Sequence, residues 1–144
     1  MYVSCILDKG RTPLKMITPN ETIGNLSRQL QQARIGVMVV SHDGLTLDGI
    51  ISERDIAYSL AERRGDLHLL PVSALMTRKV VTCSPDDSLL DAARLMKQHV
   101  IRHLPIMRGK HLLGIISMRD ILEFRLDELG RKSTLLLSLV ADLE

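Results

Sequence analysis

Aromatic residues make up 2% of this 144-residue chain, with no Trp, one Phe (Phe124) and two Tyr. The core must therefore be aliphatic, and the aromatic platforms on which single-stranded nucleic acid stacks are missing. Neither sign of charge dominates: 19 Lys and Arg face 17 Asp and Glu, spread along the chain with no basic stripe to neutralise a phosphate backbone. Cys5 and Cys83 make neither a CxxC pair nor a disulfide framework. No apolar run reaches the roughly 18 residues of a membrane span. The start, with Asp8, Lys9 and Arg11, has no signal-peptide core. A cytoplasmic protein with no nucleic-acid or membrane partner is the expectation. Catalysis is not expected either, because there is no Gly-rich phosphate loop and no His, Cys or Ser with an evident activating partner. His99 and His103 have a helical metal-ligand spacing, but Pro105 and the strand pattern around it end the helix before His103, so no metal site is expected.

What the chain does have is a repeat. Gly49-Ile50-Ile51-Ser52-Glu53-Arg54-Asp55-Ile56 returns about 65 residues later as Gly114-Ile115-Ile116-Ser117-Met118-Arg119-Asp120-Ile121. The flanks repeat as well. In the first unit, Leu14 to Ile17 reads as a strand, Thr18-Pro19-Asn20 breaks it, and Asn20 is a candidate helix cap. Ile23, Leu26, Leu30 and Ala33 then share a helical face, ended by Gly36. Val37 to Val40 and Leu47 to Ile51 form a hairpin about His42-Asp43-Gly44, and Ser52 opens a helix running to Arg64 and closed by Gly65. The second unit repeats this order. Lys79 to Thr82 is its strand, and Ser84-Pro85-Asp86-Asp87 its break and cap. Leu89, Ala92, Ala93 and Met96 line its helix. Its hairpin runs from His103 to Ile116 around Arg108-Gly109, and Ser117 opens its last helix. Between the units, Val72 to Met76 reads as a short helical turn.

The tail differs. Leu122, Leu126, Leu129, Ser133, Leu136, Val140 and Leu143 alternate steps of four and three, a heptad seam with Gly130 as a candidate break. Leu135, Leu137 and Leu139 widen the apolar face. A greasy helix with so little left to cover it is expected to pack on a second copy of the chain.

The repeated block combines a cap with a cation. Ser52 and Ser117 stand where N-caps belong, and Ser-x-x-Asp is a capping box whose acid also suits the helix dipole. Arg54 and Arg119 are different: a cation in the first helical turn opposes the dipole, at a cost of a few tenths of a kcal/mol. Finding it twice points to a negative ligand at the free N–H groups of that turn. An acid beside an anion site suits hydroxyls, and anion plus diol describes a nucleotide.

This block resembles the signature of CBS domains, Gly-φ-φ-Ser/Thr-x-x-Asp with φ apolar, and two in tandem over residues 12–126 resemble a Bateman module. The resemblance implies an α/β (α+β) fold of two β-α-β-β-α repeats about a pseudo-twofold axis, plus a C-terminal helix. Residues 1–70 make the first repeat with a leading segment, 71–126 the second, and 127–144 the tail. It also implies an adenine-nucleotide sensor: AMP first, with NAD(H), ATP, ADP or S-adenosylmethionine as further candidates, and Mg only beside a triphosphate. Asp55 and Asp120 would hold ribose hydroxyls, Ser52 and Ser117 ribose or phosphate, and Arg54 and Arg119 phosphates. Adenine would lie against backbone at Thr18 with Gly36, Val37 and Met38, and at Thr82 and Cys83 with Arg102, His103 and Pro105. Arg102 and His103 replace Gly36 and Val37, so unequal clefts are expected, with Arg102, His103 and Arg119 in the better phosphate site. The implied assembly is a homodimer through the repeat helices and the C-terminal helix, signalling to a separate effector protein. The alternative is an interaction module with empty clefts whose tail docks a partner.

Overall fold

A computed structural model describes residues 1–8 and 14–143; Lys9, Arg11 and the side chain of Leu143 lie outside the described residues. A one-turn helix α1 (Ser4–Leu7) leads into β1 (Met16–Ile17), α2 (Ile23–Ala33), the hairpin β2 (Val37–Val40) and β3 (Gly49–Ser52), and α3 (Glu53–Glu62). Short 3-10 turns at Leu67–Leu69 and Val72–Ala74 connect to α4 (Leu89–His99), the hairpin β4 (His103–Arg108) and β5 (His111–Ser117), and α5 (Met118–Leu143). β1 lies parallel to β2, and β2 antiparallel to β3 with Val37 opposite Ser52. β4 and β5 pair antiparallel with His103 opposite Ser117. The two hairpins thus share their register opposite the cap serines.

Local chemistry sets the helix ends, two of them away from the expected residues. Thr22, not Asn20, caps α2 by accepting from the Asn25 N–H at 3.1 Å, and Ser88, not the Ser84–Asp87 stretch, caps α4 by accepting from the Asp91 N–H at 3.0 Å. Asp87 instead closes a turn by accepting from the Ser84 N–H. The α2 helix stops before Gly36: Arg34 and, in α4, Val100 adopt left-handed backbone at φ 54°. The Ile35 N–H then reaches back to the Leu30 carbonyl and the Ile101 N–H to Met96, a Schellman closure made without glycine. Lys79 to Thr82 is not a strand; the lead of the second repeat touches its hairpin through a single parallel bridge, Cys83 to Ile106. Pro105 occupies the place of Val39 and has no N–H to donate, so the ladder stops there.

Each repeat has its own aliphatic core. Ile23, Leu26 and Leu30 of α2 pack on Met38, Val40 and Ile51, and Leu89, Ala92 and Met96 of α4 pack on Leu104, Ile106 and Ile116. Full burial of each large side chain contributes roughly 1.5–3 kcal/mol. The segments ahead of the repeats are exchanged. Val3 and Ile6 complete the core of the second repeat, and Val72 that of the first. The backbone bonds match: Val3 N–H to Asp87 and Ser4 N–H to Pro85 on one side, Val72 N–H to Glu21 and Ser73 N–H to Pro19 on the other.

α5 is continuous through Gly130, which does not break it. Beyond Phe124 the described residues offer little cover to its apolar side chains: Leu126, Leu129, Leu135, Leu136, Leu137, Leu139 and Val140 are each 52–70% exposed. No helix among the described residues is long and apolar enough to cross a membrane.

Candidate functional site

Two capping boxes hold the repeated acids. Ser52 Oγ accepts from the Asp55 N–H at 3.2 Å, while Asp55 Oδ2 accepts from the Ser52 N–H at 2.9 Å and the Ser52 hydroxyl at 3.1 Å. In the second repeat the Asp120 N–H donates to Ser117 Oγ at 3.0 Å and the Ser117 N–H to Asp120 Oδ2 at 2.7 Å. The cap fixes each carboxylate at the mouth of its helix. At Asp55 it uses one oxygen, and Oδ1 engages no partner among the described residues.

Each box faces the other repeat. In the first cleft, about 470 Å³, Ser52, Arg54 and Asp55 lie across from Lys79, Val80 and Val81 and from Arg102 and His103. In the second, about 660 Å³, Ser117 and Asp120 lie across from Leu14, Lys15 and Ile35. Both volumes fall within the roughly 300–1,000 Å³ of small-molecule sites. Val37 and His103, which hold equivalent register positions opposite the cap serines, line both clefts and form the wall between them.

Of the residues expected from sequence, the first cleft brings together Gly36, Val37, Ser52, Arg54, Asp55, Arg102 and His103, and the second Val37, His103, Ser117 and Asp120. The rest line neither cleft. Met38 and Cys83 are buried in the cores, Pro105 is buried on the face of β4 opposite the core residues Leu104 and Ile106, Thr18 is exposed beyond the end of β1, and Thr82 precedes the single bridge. The reason is register: Ile17 and Cys83 turn into the cores, so the cleft-facing residues of the lead segments come earlier, at Leu14–Lys15 and Val80–Val81. These four and Lys79 were missed, although their equivalent places in the two units were a readable signal.

Arg119 lies away from the place expected for it. It does not join Arg102 and His103; its Nε bonds Glu123 Oε1 at 3.0 Å on the outside of α5, with the side chain 87% exposed. Arg102 instead shares the first cleft with Arg54. The reason is the crossing of the repeats, which sets the start of β4 against α3. Gly36 does not leave empty room either. A Cβ there would lie 3.0 Å from Glu53 Oε1, so the Glu53 carboxylate lies over it, while the second repeat has Arg102 and Met118 in those two places.

Electrostatics distinguish the candidates further. Burial holds His103 below the ordinary imidazole value and Arg102 adds to this, while Asp120 and Glu53 pull the other way. Burial, with Asp87 nearby, pushes the Cys83 thiol up to about 12, which makes it a poor nucleophile in the folded protein.

The sequence profile of the CBS domain matches residues 6–62 and again 72–127. The CBS domain-containing protein YhcV of Bacillus subtilis is 34% identical over 119 residues, covering 83% of this chain and 84% of its own. The structure of the CBS-domain protein ATU1752 of Agrobacterium tumefaciens superposes with a TM-score of 0.81 at 28% identity, over 86% of this chain and 92% of that one. PAE2072 of Pyrobaculum aerophilum, solved with AMP, gives 0.72 at 26%, over 83% and 89%. The domain pair of MJ0100, solved with 5′-methylthioadenosine and S-adenosyl-L-methionine, gives 0.74 at 26%, over 86% and 98%.

Proposed function

Because the chain belongs to the CBS-domain family and carries the domain as a tandem pair, we propose that it is a regulatory sensor, not an enzyme, that binds an adenine nucleotide between its repeats. The observation that carries this reading is the cross-repeat first cleft. A capped carboxylate and two arginines converge there with apolar walls at Ile50, Val80 and Ile101. Asp55 suits ribose hydroxyls, Arg54 and Arg102 suit phosphate, and the aliphatic walls suit a base face. AMP is the first candidate, with NAD(H) or ATP, and Mg only with the triphosphate. The neighbours solved with AMP and with S-adenosyl-L-methionine support the adenine class.

Ligand bridging the repeats changes their relative position only by its differential affinity for two arrangements. A homodimer joined through the exposed seam of α5 is the body whose arrangement would change, and a separate protein would read it. That exposed seam also supports a second reading, a docking module that needs no ligand. A thermal-shift panel of AMP, ADP, ATP with and without Mg, NAD, NADH, S-adenosylmethionine and a GTP control separates the two. Ligand at a hundred times its Kd stabilises by about 2.7 kcal/mol per site. A shift with an adenine compound that is lost in Asp55→Ala plus Asp120→Ala supports the sensor; a flat panel on folded protein supports the docking module.

A further inference from the structure

His103 lies half-buried in the wall common to both clefts. Its counterpart Val37 lies in the same wall and cannot titrate, so the pseudo-symmetric pair offers one ionisable ring between two sites. We propose that His103 is a specificity-determining residue for both clefts, admitting an anion to either one as imidazolium and thereby linking the two sites through a single proton. This rests on the reading of the clefts as ligand sites.

Charges of both signs surround the ring. Asp120 faces it from α5 and Glu53 from α3, and Arg102 adjoins it in the chain. Arg54, Asp55 and Lys79 line the first cleft with it, and Lys15 the second. With no ligand, burial keeps the ring below its ordinary value, and it is neutral at pH 7.5. A phosphate in either cleft favours the imidazolium, so binding takes up a proton. The sign follows: the gain in affinity is complete below the free-state pKa and lost as pH rises through the raised, bound-state value. Each unit by which ligand raises that pKa is worth about tenfold in affinity. The first anion brings the proton, and a second, in the other cleft, meets a ring already charged, so the two bind with positive and reciprocal coupling.

The test is an NMR titration of the His103 imidazole in the full chain, without and with saturating AMP. Isothermal titration of wild type and His103→Val from pH 6 to pH 8 accompanies it. The variant keeps the titration of AMP's own phosphate and serves as the baseline. The expected result is an upward move of the His103 midpoint with AMP, and a wild-type affinity that gains on the variant as pH falls. AMP shifts around Asp55 with an unmoved His103 midpoint would overturn this proposal and leave the ligand site standing. No AMP shift anywhere would overturn both, and the wild-type titration decides even where the variant fails to fold.

Discussion

Arg102→Ala and Arg119→Ala distinguish the crossed arrangement of the repeats from a pairing of residues within one repeat. Arg102 lines the first cleft beside Arg54, whereas Arg119 lies on the outer face of α5 against Glu123. A hydrogen bond to a charged group contributes about 1.5–3 kcal/mol. Arg102 is exposed at the rim of the cleft, where salt screens it, so the lower figure applies: Arg102→Ala should weaken AMP about tenfold at low salt. Arg54→Ala should do the same, and the double variant should lose less than the product, because both act on one phosphate. Arg119→Ala should leave Kd within about twofold and stability within about 0.5 kcal/mol, as for an exposed ion pair. Isothermal titration at low and high salt reads all four proteins. An Arg119→Ala loss equal to that of Arg102→Ala would refute the reasoning.

Gly49→Ala should destabilise by about 1–3 kcal/mol, since the new Cβ meets the Thr77 carbonyl at 2.8 Å, held there by its bridge to Ile50, whereas Gly114→Ala meets only the end of Leu7 at 2.9 Å and should cost less. Calorimetry of the two variants checks the order. Val100→Gly should raise the melting temperature, relieving about 1 kcal/mol of left-handed strain at a β-branched residue; an unchanged or lower value would count against strain there. Cys83 should resist maleimide at pH 8 in folded protein and react on unfolding, as its buried, raised thiol requires, which mass spectrometry reads directly. Leu126, Leu129 and Leu136 together changed to Glu should leave helicity intact and convert a dimer to a monomer by light scattering; an unchanged mass would refute the seam.

The sequence made the repeat, its element order and both capping boxes legible because these are local: Ser52 and Asp55 meet across three residues, and a hairpin carries its own register. Three features were not legible, each for a physical reason. Arg34 and Val100 end helices in left-handed backbone, where neither residue type signals it. The lead strand of the second repeat fails because of one missing N–H at Pro105, in a neighbouring strand. The partners of the repeated residues were misassigned because motif spacing locates a residue within its own repeat, while the clefts are built across two. Arg102 is near Ser117 in its hairpin and still lines a cleft beside Arg54.

The exchanged leading segments mean that the stretch that was copied and the stretch that closes a core are out of phase. A single copy of the unit holds a core without its cover and a cover without its core. Two copies satisfy both at once, whether joined in one chain or supplied by two. The tandem chain has the form of a domain-swapped pair held within one chain. Cutting between the repeats would yield not two small domains but two open halves, each needing a second unit's leading segment to close its core.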